Sequence, residues 1–77
     1  MSKLPTLSGH ELIKILSKLG FEVKRQKGSH VVLVRETQSD KSGCVVPLHP
    51  ELKAGTLIGI LKQINLSREE FLKWIDE

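Results

Sequence analysis

The chain has 77 residues, 39% of them apolar and 27% charged, a composition typical of an ordinary folded domain and not of a disordered or collagen-like chain. A chain this short buries only about 60% of the surface that its unfolded form exposes, so we expect residues 1–77 to form a single domain. No apolar run approaches the roughly 20 residues that span a bilayer, and no targeting segment is recognisable, so we expect a cytoplasmic protein without membrane contact. The single cysteine, Cys44, excludes an internal disulfide and a cysteine-based zinc cluster.

Positive charge is concentrated in the N-terminal half. The formal net charge is +3, but residues 1–35 carry seven Lys and Arg against two acids, whereas residues 36–77 carry five against seven. The densest basic stretch runs from Lys24 to Lys27. Such a distribution favours a polyanionic partner, because cations that neutralise phosphates release condensed counterions. A solvated charged surface explains the charge alone equally well.

The first predicted element is a helix. Ser8 and Glu11 have the spacing of a capping box, and apolar residues then recur at helical spacing until Gly20, a natural C-terminal stop. We predict a helix over Gly9–Leu19.

From Phe21 the period changes to two, which predicts a half-buried strand. Its two faces would be Phe21, Val23 and Arg25 on one side, and Glu22, Lys24 and Gln26 on the other. A tight turn at residues 27–29, with Gly28 at positive φ, would lead into a second strand over His30–Glu36, and the two strands would form a hairpin.

A third strand and two helices are predicted to follow. Residues 37–43 have the composition of an exposed loop, and Cys44, Val45 and Val46 indicate a short strand that Pro47 ends. Thr56 is expected to cap a helix whose apolar stripe is Leu57, Ile60, Leu61 and Ile64. Ser67 and Glu70 form another capping box, opening a terminal helix with Phe71, Leu72 and Ile75 facing inward.

The order of helix, three strands, helix and short helix predicts an α+β fold. A three-stranded antiparallel sheet covered on one face by helices is the economical way to bury these apolar stripes.

Several chemistries lack support in this sequence. The three histidines are far apart in sequence and acids are scattered, so no metal site is expected. No phosphate-binding glycine loop or serine nucleophile motif occurs, and no cofactor is expected.

What remains is histidine in a basic environment. Cleaving RNA without a metal needs a base for the 2′-hydroxyl proton, an acid for the leaving oxygen and cations for the phosphate. His30 has Arg25 and Lys27 nearby across a tight turn, and Gly28 leaves room for a phosphate to approach the backbone. The alternative is that His30 is an amphipathic strand-end residue half packed on Val32.

Other candidates have similar alternatives. His49 and Lys53 lie before the second predicted helix, whose N-terminus favours phosphate; His49 would be a second phosphate contact or the acid, or simply a polar loop residue. His10 is expected to be exposed. Trp74 and Ile58 lie off their apolar stripes, so each is an anchor for a protein partner or a residue at the edge of the core.

Six short motifs stand in a definite order: Leu19-Gly20-Phe21, Arg25, Gly28-Ser29-His30, Val46-Pro47-Leu48-His49, Gly55-Thr56-Leu57, and Ser67 to Phe71. In this order and spacing they resemble the HicA family of bacterial and archaeal toxins, over roughly residues 4–75. The resemblance implies a fold similar to the double-stranded RNA-binding domain, α-β-β-β-α. It also implies a metal-independent ribonuclease that cleaves mRNA and arrests translation until a HicB antitoxin binds it and covers its active site.

In that family the histidine of the Gly-Ser-His motif is catalytic, which corresponds to His30, and the glycine corresponds to Gly28. Relatives often have a basic residue where this chain has Ile58, so RNA contact is expected from Lys24, Arg25, Lys27, Gly28, Ser29, His49 and Lys53 instead. The competing hypotheses are a non-catalytic RNA-binding module of the same fold and a protein-interaction domain anchored by Trp74 or Ile58.

Overall fold

A computed structural model describes residues 4–75; residues 1–3 and 76–77 of the expected domain lie outside this range. Three helices and three strands follow in the predicted order. They are α1 (Gly9–Lys18), β1 (Glu22–Lys27), β2 (His30–Glu36), β3 (Lys41–Pro47), α2 (Ala54–Gln63) and α3 (Arg68–Ile75). The strands form one antiparallel sheet in the order β1-β2-β3. The predicted α+β fold is confirmed.

Local signals set both ends of α1. Ser8 Oγ accepts the Glu11 N–H at 3.1 Å and Glu11 Oε1 accepts the Ser8 N–H at 2.8 Å, which completes the predicted capping box. Gly20 takes a φ of 97°, and the N–H groups of Gly20 and Phe21 return to the carbonyls of Ser17 and Leu16. This arrangement closes the helix in the manner expected of a glycine stop.

The core lies between one face of the sheet and the helices. Its fully buried large side chains are Phe71, Leu12, Leu16, Leu33, Leu57 and Val46. Along β2 the buried residues are Val31 and Leu33, whereas His30, Val32 and Val34 belong to the opposite face. The helices therefore cover one face, and the other face of β2 is open.

The prediction for β1 is wrong in two respects. All six residues of β1 are exposed, including Val23 at 52%, so the strand is not half-buried. The pairing register shifts between Val23 and Arg25, since Val23 pairs with Leu33 but Arg25 pairs with Val32. A bulge of this kind breaks the period of two, so Val23 and Arg25 do not share a face as predicted.

The third strand is longer than predicted. Residues 41–43 already pair with β2, so the loop shortens to residues 37–40. Thr37 closes this loop, because its Oγ1 accepts the Asp40 N–H at 3.0 Å and its own N–H donates to the Asp40 carbonyl at 2.7 Å. The strand ends at Pro47 as predicted.

The later helices differ from the prediction at their edges. The N-cap of α2 is Lys53, without a side-chain hydrogen bond, and the expected cap Thr56 lies inside the first turn. The predicted stripe of α2 is buried throughout. In α3, Ser67 Oγ accepts the Glu70 N–H at 3.1 Å, and Phe71 is fully buried. Leu72, Trp74 and Ile75 are all half-buried, and Trp74 and Ile75 pack against the core.

None of the helices in the described part of the chain is long and apolar enough to cross a membrane.

Candidate functional site

The candidate site is the tight turn that joins β1 to β2. Lys27 and His30 pair across the hairpin, so the turn itself consists of Gly28 and Ser29. Gly28 takes a φ of 60°, as predicted, and a Cβ there would meet no atom within 4 Å. Glycine is favoured here by the backbone conformation, and the surface above it is open. Gln26 Nε2 donates to the Gly28 carbonyl at 3.1 Å and helps to fix the turn.

The β1 bulge decides which cations accompany His30. Arg25 pairs with Val32 and Lys27 pairs with His30, and residues 30 and 32 share one face of β2. Arg25, Lys27 and His30 therefore lie on the same open face of the sheet, and all three are exposed. Because His30 is exposed, it is accessible to a substrate. The group has the composition that phosphate recognition requires.

A second segment, residues 47–49, lies beside this turn. His30 pairs with Pro47 on β3, and the Leu48 N–H donates to the Ser29 carbonyl at 2.6 Å. The exposed His49 follows directly, and its carbonyl accepts the Gly9 N–H at 3.0 Å. The fold thus brings the segment that carries His49 next to the Gly28–Ser29 turn, although 19 positions separate His30 and His49.

Two of the predicted RNA-binding residues are less closely connected to the turn. Lys24 lies at the bulge, and its Nζ is 3.6 Å from Glu22 Oε1, so part of its charge is compensated. Lys53 is exposed at the start of α2. Within residues 4–75, no hydrogen bond or ion pair links the Lys53 side chain to the hairpin turn.

Arg35, another cation of the basic N-terminal half, serves the fold. Its guanidinium lies 5.0 Å from the centre of the Phe21 ring, and Nη1 donates to the Leu19 carbonyl at 3.2 Å. These contacts hold a half-buried arginine over the edge of the core.

The two apolar residues considered as partner anchors, Trp74 and Ile58, lie in different surroundings. Trp74 packs against the core, which favours the interpretation of a lid. Ile58 instead lines an apolar groove with a volume of about 230 Å³ between α2, the start of α3 and Leu4. The remaining lining residues are Leu61, Lys62, Leu66, Ser67 and Arg68.

Within residues 4–75, no group of three or more His, Cys, Asp or Glu side chains is placed to hold a metal ion. Cys44 is buried in β3, and burial raises the pKa of its thiol to about 11.

Sequence reasoning missed Gly9. In the sequence it was only the first residue of the predicted helix, yet in the structure it contacts the segment that carries His49. No periodicity or motif could have found this contact, because it joins two elements that are distant along the chain.

The fold and the turn together define a small α+β domain, similar to the double-stranded RNA-binding domain, with a basic, histidine-bearing hairpin on its open sheet face. The sequence model of a family described as "HicA toxin of bacterial toxin-antitoxin" matches residues 9–66. This match covers most of the chain, and the protein belongs to the HicA toxin family. Comparison with curated proteins and with solved structures gives no match.

Proposed function

We propose that this protein is a toxin ribonuclease that cleaves mRNA in the cytoplasm without a metal ion. In this proposal residues 1–77 form a single domain. Membership of a toxin family supports the biological role. One observation carries the chemistry: Arg25 and Lys27 share the open sheet face with the exposed His30.

The proposed reaction needs proton transfer and charge stabilisation. The RNA 2′-oxygen attacks the adjacent phosphorus as its proton passes to a base, and the bond from phosphorus to the 5′-oxygen breaks as that oxygen receives a proton from an acid. The products are a 2′,3′-cyclic phosphate and a 5′-hydroxyl. Imidazole can fill either proton role near neutral pH, and we assign one of them to His30.

The surrounding residues bind the substrate in this proposal. Arg25 and Lys27 neutralise the phosphate charge that grows in the transition state. Gly28 and Ser29 allow the RNA backbone to approach the turn closely, since no side chain covers Gly28. His49 supplies a second phosphate contact or the second proton-transfer group, and Lys24 and Lys53 extend the basic surface.

The test is growth arrest after induced expression, compared between the wild type, His30→Ala and His10→Ala. His10 is an exposed histidine in the first turn of α1 and serves as the matched control. We expect His30→Ala to relieve the arrest and His10→Ala to retain it, with both variants folded by circular dichroism. A folded His30→Ala variant that is as toxic as the wild type would refute the assignment. Arrest with intact RNA would favour the non-catalytic RNA-binding module.

We also propose that a HicB-like antitoxin neutralises the protein and uses the Ile58 groove as one contact. The groove has an apolar floor and two cations, Lys62 and Arg68, which suits an acidic segment that presents a large apolar side chain. Ile58→Asp is expected to weaken the complex with a HicB-like antitoxin at least tenfold, measured by calorimetry, while toxicity persists. Trp74→Ala, at a core contact, is the comparison, and an unchanged affinity of Ile58→Asp would contradict this contact.

A further inference from the structure

The segment Pro47–His49 is fixed from two sides. On one side the Leu48 N–H donates to the Ser29 carbonyl at 2.6 Å, directly before His30. On the other side the Gly9 N–H donates to the His49 carbonyl at 3.0 Å. The start of α1 is thereby connected through residues 47–49 to the turn that directly precedes His30.

Gly9 is buried, and the contact leaves no space for a side chain. A Cβ on Gly9 would overlap the Pro47 carbonyl oxygen and would lie 2.9 Å from Leu48 Cα. Both neighbours are backbone atoms, so no rotation of a side chain relieves the overlap. The φ of Gly9 is not in the left-handed region, so close approach, and not backbone conformation, requires glycine here.

Gly59 provides the contrast within the same molecule. It also lies in a helix, but it is exposed, and a Cβ there would meet no atom within 4 Å. A glycine is therefore not needed at position 59 for packing, and alanine is the better helix former.

We propose that Gly9 is a positioning residue that sets where Pro47 and His49 lie relative to His30. Its effect on catalysis rests on the proposed ribonuclease function, but its effect on geometry does not. Any side chain at position 9 displaces residues 47–49 from α1, and this displacement moves His49 and the β3 neighbour of His30 together. A misplacement of about 1 Å in an active site costs about 100-fold in rate.

The experiment compares wild type, Gly9→Ala and Gly59→Ala in two independent measurements. The first is cleavage of a defined mRNA as a function of pH at saturating RNA. The second is the NMR spectrum of the His30 and His49 rings in the free protein, which needs no activity. Gly9→Ala is expected to lower kcat about 100-fold, to change the shape of the pH profile and to shift both ring signals. Gly59→Ala is expected to change none of these.

The outcomes separate this inference from the proposed function. If wild type does not cleave RNA but Gly9→Ala shifts both histidine rings, the ribonuclease proposal fails and the positioning role stands. If the folded Gly9→Ala variant keeps the ring signals of the wild type, the positioning role is overturned. A lower kcat with an unchanged pH profile and unchanged ring signals would also overturn it.

If the Gly9→Ala variant does not fold, the positioning role is tested on the wild type instead. Hydrogen exchange of the Gly9 and Leu48 amides is expected to be slow, because both donate to backbone carbonyls in the described structure. Exchange at the rate of open loop amides would show that these bonds do not hold residues 47–49, and the proposal would then be rejected.

Discussion

The two outer strands of the sheet differ sharply in burial, although both pair with β2. In β3, Cys44 and Val46 are buried, and α1 and α2 both contact this strand. In β1 every residue is exposed, and Val23, which pairs with the buried Leu33, still exposes 52% of its surface. β3 therefore contributes to the core, whereas β1 contributes a charged surface that remains hydrated.

The bulge in β1 strengthens this contrast. It transfers Arg25 to the face of Lys27 and His30, where a regular strand would have placed Arg25 with Val23. An edge strand of this kind, twisted by a bulge and rich in Lys and Arg, also resists pairing with another chain. Both features allow the strand to present cations at little cost to the core.

The largest expected effect is on the free energy of unfolding, when the same substitution is made in each of the two outer strands. Val46→Ala in β3 removes two fully buried methyl groups and is expected to lower the free energy of unfolding by about 2–3 kcal/mol. Val23→Ala in β1 is expected to change it by less than about 0.5 kcal/mol. Urea unfolding measures both values, and equal losses would contradict the difference in burial.

The buried thiol of β3 predicts a smaller effect that depends on pH. Burial raises the pKa of Cys44 from 9.0 to about 11, so above pH 9 the thiol ionises in the unfolded chain before it ionises in the folded one. Its contribution to stability is complete below pH 9 and is lost as the pH rises towards 11. Relative to Cys44→Ala, wild type should lose about 2 kcal/mol between pH 8 and pH 11. Parallel pH profiles for the two proteins would show that Cys44 is not shielded from water.

The smallest expected effect is on the salt dependence of RNA binding, when each of two lysines of β1 is replaced. A plot of log affinity against log salt concentration falls with a negative slope, and each lost phosphate contact makes that slope less steep by about 0.7 for single-stranded RNA. Lys27→Ala, beside His30, should produce this full change, whereas Lys24→Ala should produce less because Glu22 already compensates part of the charge. Filter binding with the His30→Ala protein, at several salt concentrations, measures both slopes. A larger change for Lys24→Ala would place the RNA elsewhere on the hairpin.

The sequence predicted best those features that local chemistry determines. The first helix was predicted to within one residue, because Ser8, Glu11 and Gly20 act on backbone groups a few residues away. The turn at Gly28 and the extent of β2 were predicted correctly for the same reason. The buried stripe of α2 was also correct, since its spacing alone defines one face of a helix.

Features that depend on contacts between distant residues were not predictable in this way. α2 begins at Ala54, before Thr56 and shortly after the buried Leu52, whose N–H donates to the distant Leu7 carbonyl at 2.7 Å. The polar residues 41–43 extend β3 only because β2 offers them partners. The face of the sheet on which Arg25 lies depends on a bulge that no residue type in β1 predicts. The contact of Gly9 with residues 47–49 depends on the packing of the whole fold.

The catalytic role of His30 is tested most directly by incubating a defined mRNA with purified wild type and folded His30→Ala in excess EDTA and analysing the product ends. We expect wild type to produce 2′,3′-cyclic phosphate and 5′-hydroxyl ends and His30→Ala to leave the RNA intact. Binding without cleavage by both proteins, or equal cleavage by both, would contradict the role assigned to His30.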